Sequence, residues 1–313
     1  MRAIVRDRYG LDALELREVE APEVTEDRVL VRVHASSVNP VDWYDASGRP
    51  SLFRAMSGLR RPKVHAVGSD FAGVVEATGE EVYGVANGAF GEYVAARRDR
   101  IAPKPAGLTF EQAAAVPVAA VTALQALRDK GGIQPGQRVL INGASGGVGT
   151  FAIQLAKSFG TEVTGVCSTQ KVEQARTLGA DHVVDYTRED FTRSDRRYDL
   201  MIDIAGSRSF TECRRVLARD ATFVCVGGSK AKRLLGPLPH MIGSGLKAIG
   251  KSQKVVTFFV ASITPDDLNV LTELIEAGKV TPVVERRYEL PETVEALRYL
   301  GEGHARGKIV IAV

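Results

Sequence analysis

The chain has 313 residues, which is enough for two domains with separate hydrophobic cores. Hydrophobic residues make up 44% and charged residues 25% of the sequence, as in an ordinary globular protein, which argues against a disordered or membrane-embedded chain. The net charge of +3 and the scattered short basic runs argue against nucleic-acid binding, because a binding face needs clustered Lys and Arg.

No targeting or membrane signal is visible. The first ten residues, MRAIVRDRYG, contain no apolar signal core, and no apolar run approaches membrane-spanning length. The three cysteines, Cys167, Cys213 and Cys225, show no metal-type spacing. We therefore expect a cytoplasmic protein with reduced, buried thiols and no membrane partner.

The first hundred residues are predicted to be rich in β-strands. Residues 29–38 alternate apolar and polar positions, and residues 71–78 and 90–96 are β-branched and aromatic runs broken by glycine. The polar, proline-bearing stretch 39–50 is predicted to be a loop. A helix is predicted over residues 109–127, with a break or kink at Pro117.

The middle of the chain alternates apolar strands with helical patterns. The predicted strands cover residues 138–142, 162–167, 182–186, 199–205 and 221–228, and a helical pattern at 210–218 precedes the last of them. Such alternation indicates a parallel sheet covered on both faces, the α/β doubly wound fold.

The C-terminal part is predicted to return to the first domain. It contains a β run at 254–261, a helix at 265–279, a second helix and a final strand at 307–313. The predicted domains are therefore residues 1–115 with 256–313 for the β-rich unit, and residues 116–255 for the nucleotide-binding unit inserted between them.

A glycine-rich turn, NGASGGVG, follows the first strand of the nucleotide-binding unit and precedes a helix. Ala144 stands where the first glycine of the common G-x-G-x-x-G pattern would fall. Gly143 and Gly147 are expected to supply positive φ, Gly146 to let the backbone approach a pyrophosphate, and Gly149 to let the helix pack on the strand. No G-K-[ST] follows, which argues against a P-loop. The predicted phosphate-binding residues are Gly143, Ser145, Gly146, Gly147, Val148 and Gly149.

The end of the next strand predicts which dinucleotide is bound. An enzyme that prefers NADH usually has an acid there that holds the ribose 2′-hydroxyl. In this chain Cys167 takes that place and is followed by Ser168, Thr169 and Lys171. Hydroxyl groups and an ammonium attract a 2′-phosphate, so the predicted cofactor is NADPH. The alternative is a solvated loop without a ligand.

Motifs along the whole chain resemble those of the medium-chain dehydrogenases/reductases, most closely the zinc-independent quinone oxidoreductase branch. They are NPVDWYDASG, GSDFAGVV, AFGEYVA, AAVPVAAVTALQAL, NGASGGVG, LGADHVVDY and GHARGKIVI, in this order. The resemblance implies a GroES-like catalytic domain, a Rossmann domain and a homodimer. In one departure, Gly79 runs directly into Glu80, where the family has a longer connection.

The resemblance also implies roles for individual residues. Asn39 and Tyr44 would line the nicotinamide and substrate pocket, with Tyr44 as a hydrogen-bond or proton donor, and Thr122 would approach the nicotinamide. Asp42 would brace the loop, and packing of the domain cleft is the alternative role for Tyr44. Further cofactor contacts are expected from Tyr186, Ala205, Gly206, Val226, Gly227, Gly228, Phe258, Phe259 and Lys308, the last at the 2′-phosphate or else at the solvated surface.

The zinc ligands of the family's alcohol dehydrogenases have no counterparts. Their first substrate loop carries a cysteine and a later motif carries His-Glu, whereas this chain has SSVNPVDWY and Gly68-Ser69-Asp70 at these places. Catalytic zinc needs three protein ligands, so we expect no metal.

The predicted function is NADPH-dependent transfer of hydride to a quinone or an α,β-unsaturated carbonyl compound. Without a Lewis acid, a site of this kind suits acceptors that conjugation has already activated. Two alternatives remain open, an enoyl-thioester reductase and a non-enzymatic NADPH-binding protein.

Overall fold

The computed structural model describes residues 1–49, 54, 58, 60–227, 242–246, 252–257, 260–303 and 305–313. The chain divides into unit 1, residues 1–121, 262–278 and 282–313, and unit 2, residues 122–261 and 279–281. Both main boundaries lie about six residues after the sequence-based ones, and the first falls inside a helix that begins at Pro117. A short segment, 279–281, joins unit 2, where Gln154 exchanges two hydrogen bonds with the backbone of Thr281, at 2.8 and 3.0 Å.

The strands, in chain order, are β1 Arg2–Arg6, β2 Leu14–Glu18, β3 Arg28–Val38, β4 Asp70–Val75, β5 Glu81–Val85, β6 Tyr93–Arg97, β7 Ile101–Pro103, β8 Arg138–Asn142, β9 Glu162–Cys167, β10 His182–Asp185, β11 Tyr198–Asp203, β12 Leu217–Cys225, β13 Lys254–Val256, β14 Val284–Glu289 and β15 Lys308–Ala312. The helices are α1 Pro40–Ser47, α2 Phe110–Ala114, α3 Pro117–Gln125, α4 Gly147–Ser158, α5 Val172–Thr177, α6 Phe210–Cys213, α7 Pro265–Glu276 and α8 Thr293–Glu302.

Unit 1 is built on a seven-stranded sheet with the order β14-β15-β3-β4-β5-β7, in which β6 also pairs with β3. The long strand β3 is central because its alternating apolar residues, Val29, Val31 and Val33, enter a buried core. The short Gly79 connection is a tight hairpin between β4 and β5, with Gly79 at φ 74°. Its amide donates to the carbonyl of Val75 at 2.8 Å.

The predicted loop at 39–50 is wrong, because this stretch contains helix α1. Its signals are present in the sequence: Asn39 precedes the helix, Pro40 takes its first position, and Gly48 follows it in the left-handed region at φ 62°. The predicted break at Pro117 is confirmed, since α2 ends at Ala114 and α3 begins at Pro117.

Unit 2 has a six-stranded, entirely parallel sheet with the order β10-β9-β8-β11-β12-β13. This order confirms the predicted doubly wound fold, and the direction of winding reverses between β8 and β11. The predicted helix at 210–218 ends early, because α6 stops at Cys213 and Leu217 already begins β12. Leu217 pairs with Tyr198 of β11 and enters the core around Phe223.

The three thiols are buried, and none forms a disulfide, as the sequence predicts. Burial raises the pKa of Cys167 to about 11 and that of Cys225 to about 12, and it also raises the pKa of Cys213. Low-pKa thiolate chemistry is therefore disfavoured at all three. No helix within the described ranges is long and apolar enough to cross a membrane.

Candidate functional site

The glycine turn lies between β8 and α4, at the carboxyl edge of the parallel sheet. Gly143 has φ 95°, as predicted, whereas Gly147 is the first residue of α4 and does not have positive φ, so that expectation was wrong. A Cβ atom at Gly149 would lie 2.1 Å from the carbonyl oxygen of Gly143. Only glycine fits there, because the neighbouring atom is backbone.

Space remains open in front of the turn. A Cβ atom at Gly146 would meet no atom closer than the Gly143 oxygen at 3.8 Å. Gly146 precedes the first turn of α4, whose amide hydrogens have no partner within the helix. These amides and the helix dipole favour an anion, so the turn fits a pyrophosphate. Ser145 is buried and Val148 half-buried beside it.

Ala144 stands where the G-x-G-x-x-G pattern has its first glycine, and its methyl group packs against β9. Its Cβ atom would be only 3.0 Å from a Cβ atom at Gly165, so a small residue on β9 accommodates the methyl group. The amides of Gly143 and Ala144 both donate to the carbonyl of Val166, at 3.2 and 3.1 Å. The turn is therefore anchored to the neighbouring strand through its backbone.

A buried polar pair that the sequence analysis missed connects β8 to β11 at the winding reversal. The amide of the Asn142 side chain donates to the carboxylate of Asp203 at 2.7 Å, and the backbone amide of Gly206 donates to the same oxygen at 3.0 Å. Gly206 adopts φ 58°, and Ala205 donates to the carbonyl of Asn142 at 3.2 Å. The signal was available, since each of these polar residues ends a neighbouring strand.

The residues after β12 lie close to the same loop. Val226 donates to the carbonyl of Asp203 at 2.9 Å. A Cβ atom at Gly227 would lie 2.3 Å from the carbonyl oxygen of Ile204, so this glycine is required by protein packing. Gly228, Phe258 and Phe259, also predicted cofactor residues, lie outside the described residues.

The end of β9 carries the predicted 2′-phosphate loop. Cys167 is 2% exposed, and Ser168 precedes a short 3₁₀ turn, Thr169–Lys171. The Thr169 hydroxyl donates to the carboxylate of Asp185 at 2.5 Å, a residue the sequence analysis did not consider. Tyr186, the next residue, is 57% exposed and open to contact with a ligand.

In unit 1, the loop before α1 is held by a buried charged network. The Lys308 ammonium donates to Asn39 Oδ1 at 2.6 Å and to Asp70 Oδ2 at 3.2 Å. The Lys308 side chain is 3% exposed and that of Asp70 is fully buried. Asp70 also accepts from Ser37 Oγ at 2.9 Å and from the amide of Val118 at 3.0 Å.

The alternative expectation for Lys308, solvation at the surface, is therefore wrong, and its contact with the 2′-phosphate stays a prediction. The alternation along β15 directs this side chain into unit 1, where Asp70 neutralises its charge. The sequence could not show this, because Lys308 and Asp70 are distant in the chain and meet only through β3, which pairs with both β15 and β4.

Asn39 has both ends of its amide engaged. Its Nδ2 donates to Asp70 Oδ2 at 2.8 Å, its Oδ1 accepts from Lys308, and the residue is 2% exposed. Its backbone amide donates to Asp42 Oδ2 at 2.7 Å, and the Ser69 hydroxyl donates to Asp42 Oδ1 at 2.5 Å. The bracing role expected of Asp42 is confirmed. Direct contact of Asn39 with a ligand stays a prediction.

A family profile described as "Alcohol dehydrogenase GroES-like domain" matches residues 25–106, and one described as "Zinc-binding dehydrogenase" matches residues 178–311. The mouse "NAD(P)H oxidoreductase RTN4IP1, mitochondrial" is 35% identical over 92% of this chain and 82% of its own length.

This chain belongs to the medium-chain dehydrogenase/reductase superfamily, in its zinc-independent quinone oxidoreductase-like branch.

Further relatives in this superfamily cover nearly the whole chain. The Arabidopsis thaliana "NADPH-dependent alkenal/one oxidoreductase, chloroplastic" is 32% identical over 99% of this chain and 79% of its own length. The solved structure of the quinone oxidoreductase from Coxiella burnetii is 29% identical, covers 100% of this chain and 99% of its own, and has a TM-score of 0.85. The predicted combination of a GroES-like and a Rossmann-like domain is confirmed.

The residues expected to act on the substrate in this superfamily lie in both units. Tyr44 is half-buried in α1, with its ring 5.6 Å from that of Trp43 in an edge-on arrangement. Burial raises the pKa of Tyr44, so its hydroxyl keeps its proton at neutral pH and can donate it in a hydrogen bond. Thr122 is half-buried in α3. The catalytic roles of both residues stay predictions.

Within the part of the chain that the structure describes, no group of three or more His, Cys, Asp or Glu side chains is placed to hold a metal ion. The sequence-based expectation of a metal-free protein stays a prediction, which elemental analysis of the purified protein would test.

Asp42 predicts a specific pH dependence of stability. Burial raises its pKa to about 7, reinforced by the nearby Asp70 and opposed by hydrogen bonds from Ser69 and Asn39 and by the charge of Lys308. Between about pH 4 and pH 7 the unfolded chain releases this proton while the folded chain retains it, so stability falls as pH rises. The free energy of unfolding of the wild type, minus that of Asp42→Asn, should fall by up to about 4 kcal/mol over this window. Denaturant unfolding at several pH values measures it, and a flat or rising difference would contradict the assignment.

Proposed function

We propose that this chain is an NADPH-dependent oxidoreductase that transfers hydride to a quinone or an α,β-unsaturated carbonyl compound. The observation that carries the proposal is the glycine turn at the winding reversal of the parallel sheet, where dinucleotides bind in doubly wound folds. The printed names of its relatives support the substrate class, since they include a quinone oxidoreductase and an alkenal/one oxidoreductase.

The choice of NADPH follows from the end of β9. The place of the usual acid is taken by the buried thiol Cys167, and Ser168 and Lys171 follow it. A hydroxyl and an ammonium favour a 2′-phosphate, and the alkenal/one oxidoreductase is named for its use of NADPH. When bound, the reduced nicotinamide supplies the hydride.

The chain's own groups would bind and orient the reactants. The turn at 143–149 holds the pyrophosphate through backbone amides. The Tyr44 hydroxyl donates a hydrogen bond to the acceptor's oxygen as negative charge develops there. Conjugated acceptors need no Lewis acid for this step, because their π-system already spreads the charge. A homodimer and a cytoplasmic location, both expected from the sequence, belong to the same proposal.

The test is an acceptor panel with the full-length protein. NADPH oxidation should be observed with a small quinone or an enone, with kcat/KM at least about tenfold above that for a saturated ketone of similar size. The matched control omits the acceptor, which measures background oxidation. Activity confined to saturated ketones or alcohols would overturn the proposal.

Two other results of the panel would identify the alternatives. Preference for an enoyl thioester over the free enone would favour an enoyl-thioester reductase. NADPH binding by calorimetry with no consumption of any acceptor would favour a binding protein.

A further inference from the structure

Asp185 lies beside the loop predicted to hold the 2′-phosphate. It ends β10, and its register partner in the sheet is Cys167, the last residue of β9. Its carboxylate accepts hydrogen bonds from Thr169 Oγ1 at 2.5 Å, from the Thr187 amide at 3.0 Å and from Thr187 Oγ1 at 2.7 Å. The loop after β9 is therefore tied to a carboxylate from the neighbouring strand.

The position of the protons decides what this loop offers to a ligand. A threonine hydroxyl has one proton and two lone pairs. The Thr169 proton is directed to the Asp185 carboxylate, and the Thr187 hydroxyl, 2.9 Å from Thr169 Oγ1, can donate to Asp185 or to Thr169. Thr169 can then accept a hydrogen bond from a further partner but cannot donate one. A ribose 2′-hydroxyl suits such an acceptor, whereas a 2′-phosphate does not.

The negative charge of Asp185 also favours a ribose 2′-hydroxyl over a 2′-phosphate. The hydrogen bond from Thr169 is the largest influence that lowers the pKa of Asp185, which is therefore ionised at neutral pH. Thr169 and Asp185 border an open cleft of about 560 Å³, also lined by Arg176 and Arg188 and by Glu173 and Glu189. The positive charges of the two arginines are thus balanced by carboxylates, and the exposed Thr169 is accessible to a ligand, whereas Asp185 is 8% exposed and acts through Thr169.

We propose that Asp185 is a specificity-determining residue: through the Thr169 hydroxyl it favours the ribose 2′-hydroxyl of NADH and opposes the 2′-phosphate of NADPH. The chain then binds both cofactors. The ratio of its affinity for NADPH to its affinity for NADH is smaller than Ser168 and Lys171 would give by themselves. This inference rests on the proposed function, because it concerns the selectivity of the same cofactor site.

The variant Asp185→Asn tests the inference. It removes the negative charge, and its amide group can donate to Thr169, which frees the Thr169 proton for a phosphate oxygen. The ratio of the dissociation constants, Kd(NADH)/Kd(NADPH), should rise about threefold to tenfold in calorimetry on the full-length protein. An unchanged or lower ratio would overturn the inference.

Asp190→Asn is the matched control. Asp190 makes the same local turn, accepting from the Thr192 amide at 3.0 Å and from its hydroxyl at 2.8 Å. Its substitution should change the affinities for both cofactors equally or not at all. A shift as large as that of Asp185→Asn would show a general charge effect and overturn the inference.

A second variant, Thr169→Val, keeps the inference testable if Asp185→Asn does not fold. If Asp185 holds the Thr169 proton, loss of the hydroxyl should not weaken NADPH binding more than NADH binding. Selective loss of NADPH affinity would overturn the inference and leave the proposed function intact. Binding of neither cofactor by the wild type would overturn both.

Discussion

Replacing Lys308 with methionine should lower the free energy of unfolding by about 3–5 kcal/mol, the usual cost of removing one partner of a buried ion pair. The Lys308 ammonium is the cation beside the Asp70 carboxylate, at 3.2 Å, and both side chains are almost completely buried. Methionine has a similar length and fills the space, so the loss reports on charge more than on packing. Denaturant unfolding at neutral pH measures it.

Two further variants distinguish the loss of stability caused by breaking the ion pair from the loss caused by removing any lysine. Lys279→Met removes an exposed ammonium and should change stability by less than about 0.5 kcal/mol. The double variant Asp70→Asn/Lys308→Met removes both charges and should be more stable than Lys308→Met, because no unpaired charge remains buried. A loss below about 1 kcal/mol in Lys308→Met would show that the network does not hold this part of unit 1.

Replacing Ser168 with aspartate should raise the dissociation constant for NADPH about tenfold to hundredfold and leave that for NADH nearly unchanged. The new carboxylate would stand at the end of β9, where NADH-preferring proteins carry an acid that holds the ribose 2′-hydroxyl. It would repel the 2′-phosphate of NADPH. Calorimetric titration with each cofactor measures the two constants separately.

Ser168→Asn is the matched control for this substitution. Ser168 precedes the 3₁₀ turn Thr169–Lys171 with an extended backbone, φ −86° and ψ 162°, a conformation that Asp and Asn both adopt readily before a helical turn. The two variants therefore differ in charge and share size and local fit. Equal losses of NADPH affinity in both would show that the effect is steric, and the assignment of the 2′-phosphate to this loop would be wrong.

The architecture of unit 2 and most of its strand positions were predictable from the order of the amino acids. Strands β8 and β9 have the predicted bounds, because buried parallel strands are continuous apolar runs and the turns between them carry glycine. The need for glycine at Gly143 and Gly149 also follows from local geometry, which a short motif encodes. The family could be identified from its motifs because each motif lies within one short segment and can be recognised without knowledge of the tertiary structure.

The residues at the two ends of helix α1 indicate a helix, although the polar composition of the segment indicates a loop. Helix α1 was predicted as a loop from its polar composition, although Asn39, Pro40 and Gly48 mark its start and end. Composition was a weaker guide than the capping residues, because eight residues can form a helix when both ends are satisfied.

The contacts between side chains that are distant in the chain were not predictable, because they depend on how the strands pair. Lys308 lies on the last strand and Asp70 on β4, and their ion pair exists because β3 pairs with both strands. Asp185 reaches Thr169 because β10 and β9 end at the same level of the sheet. The charge of each residue can be read from the sequence. Its contribution to stability depends on its burial and on its partner, and both depend on how separate segments come together.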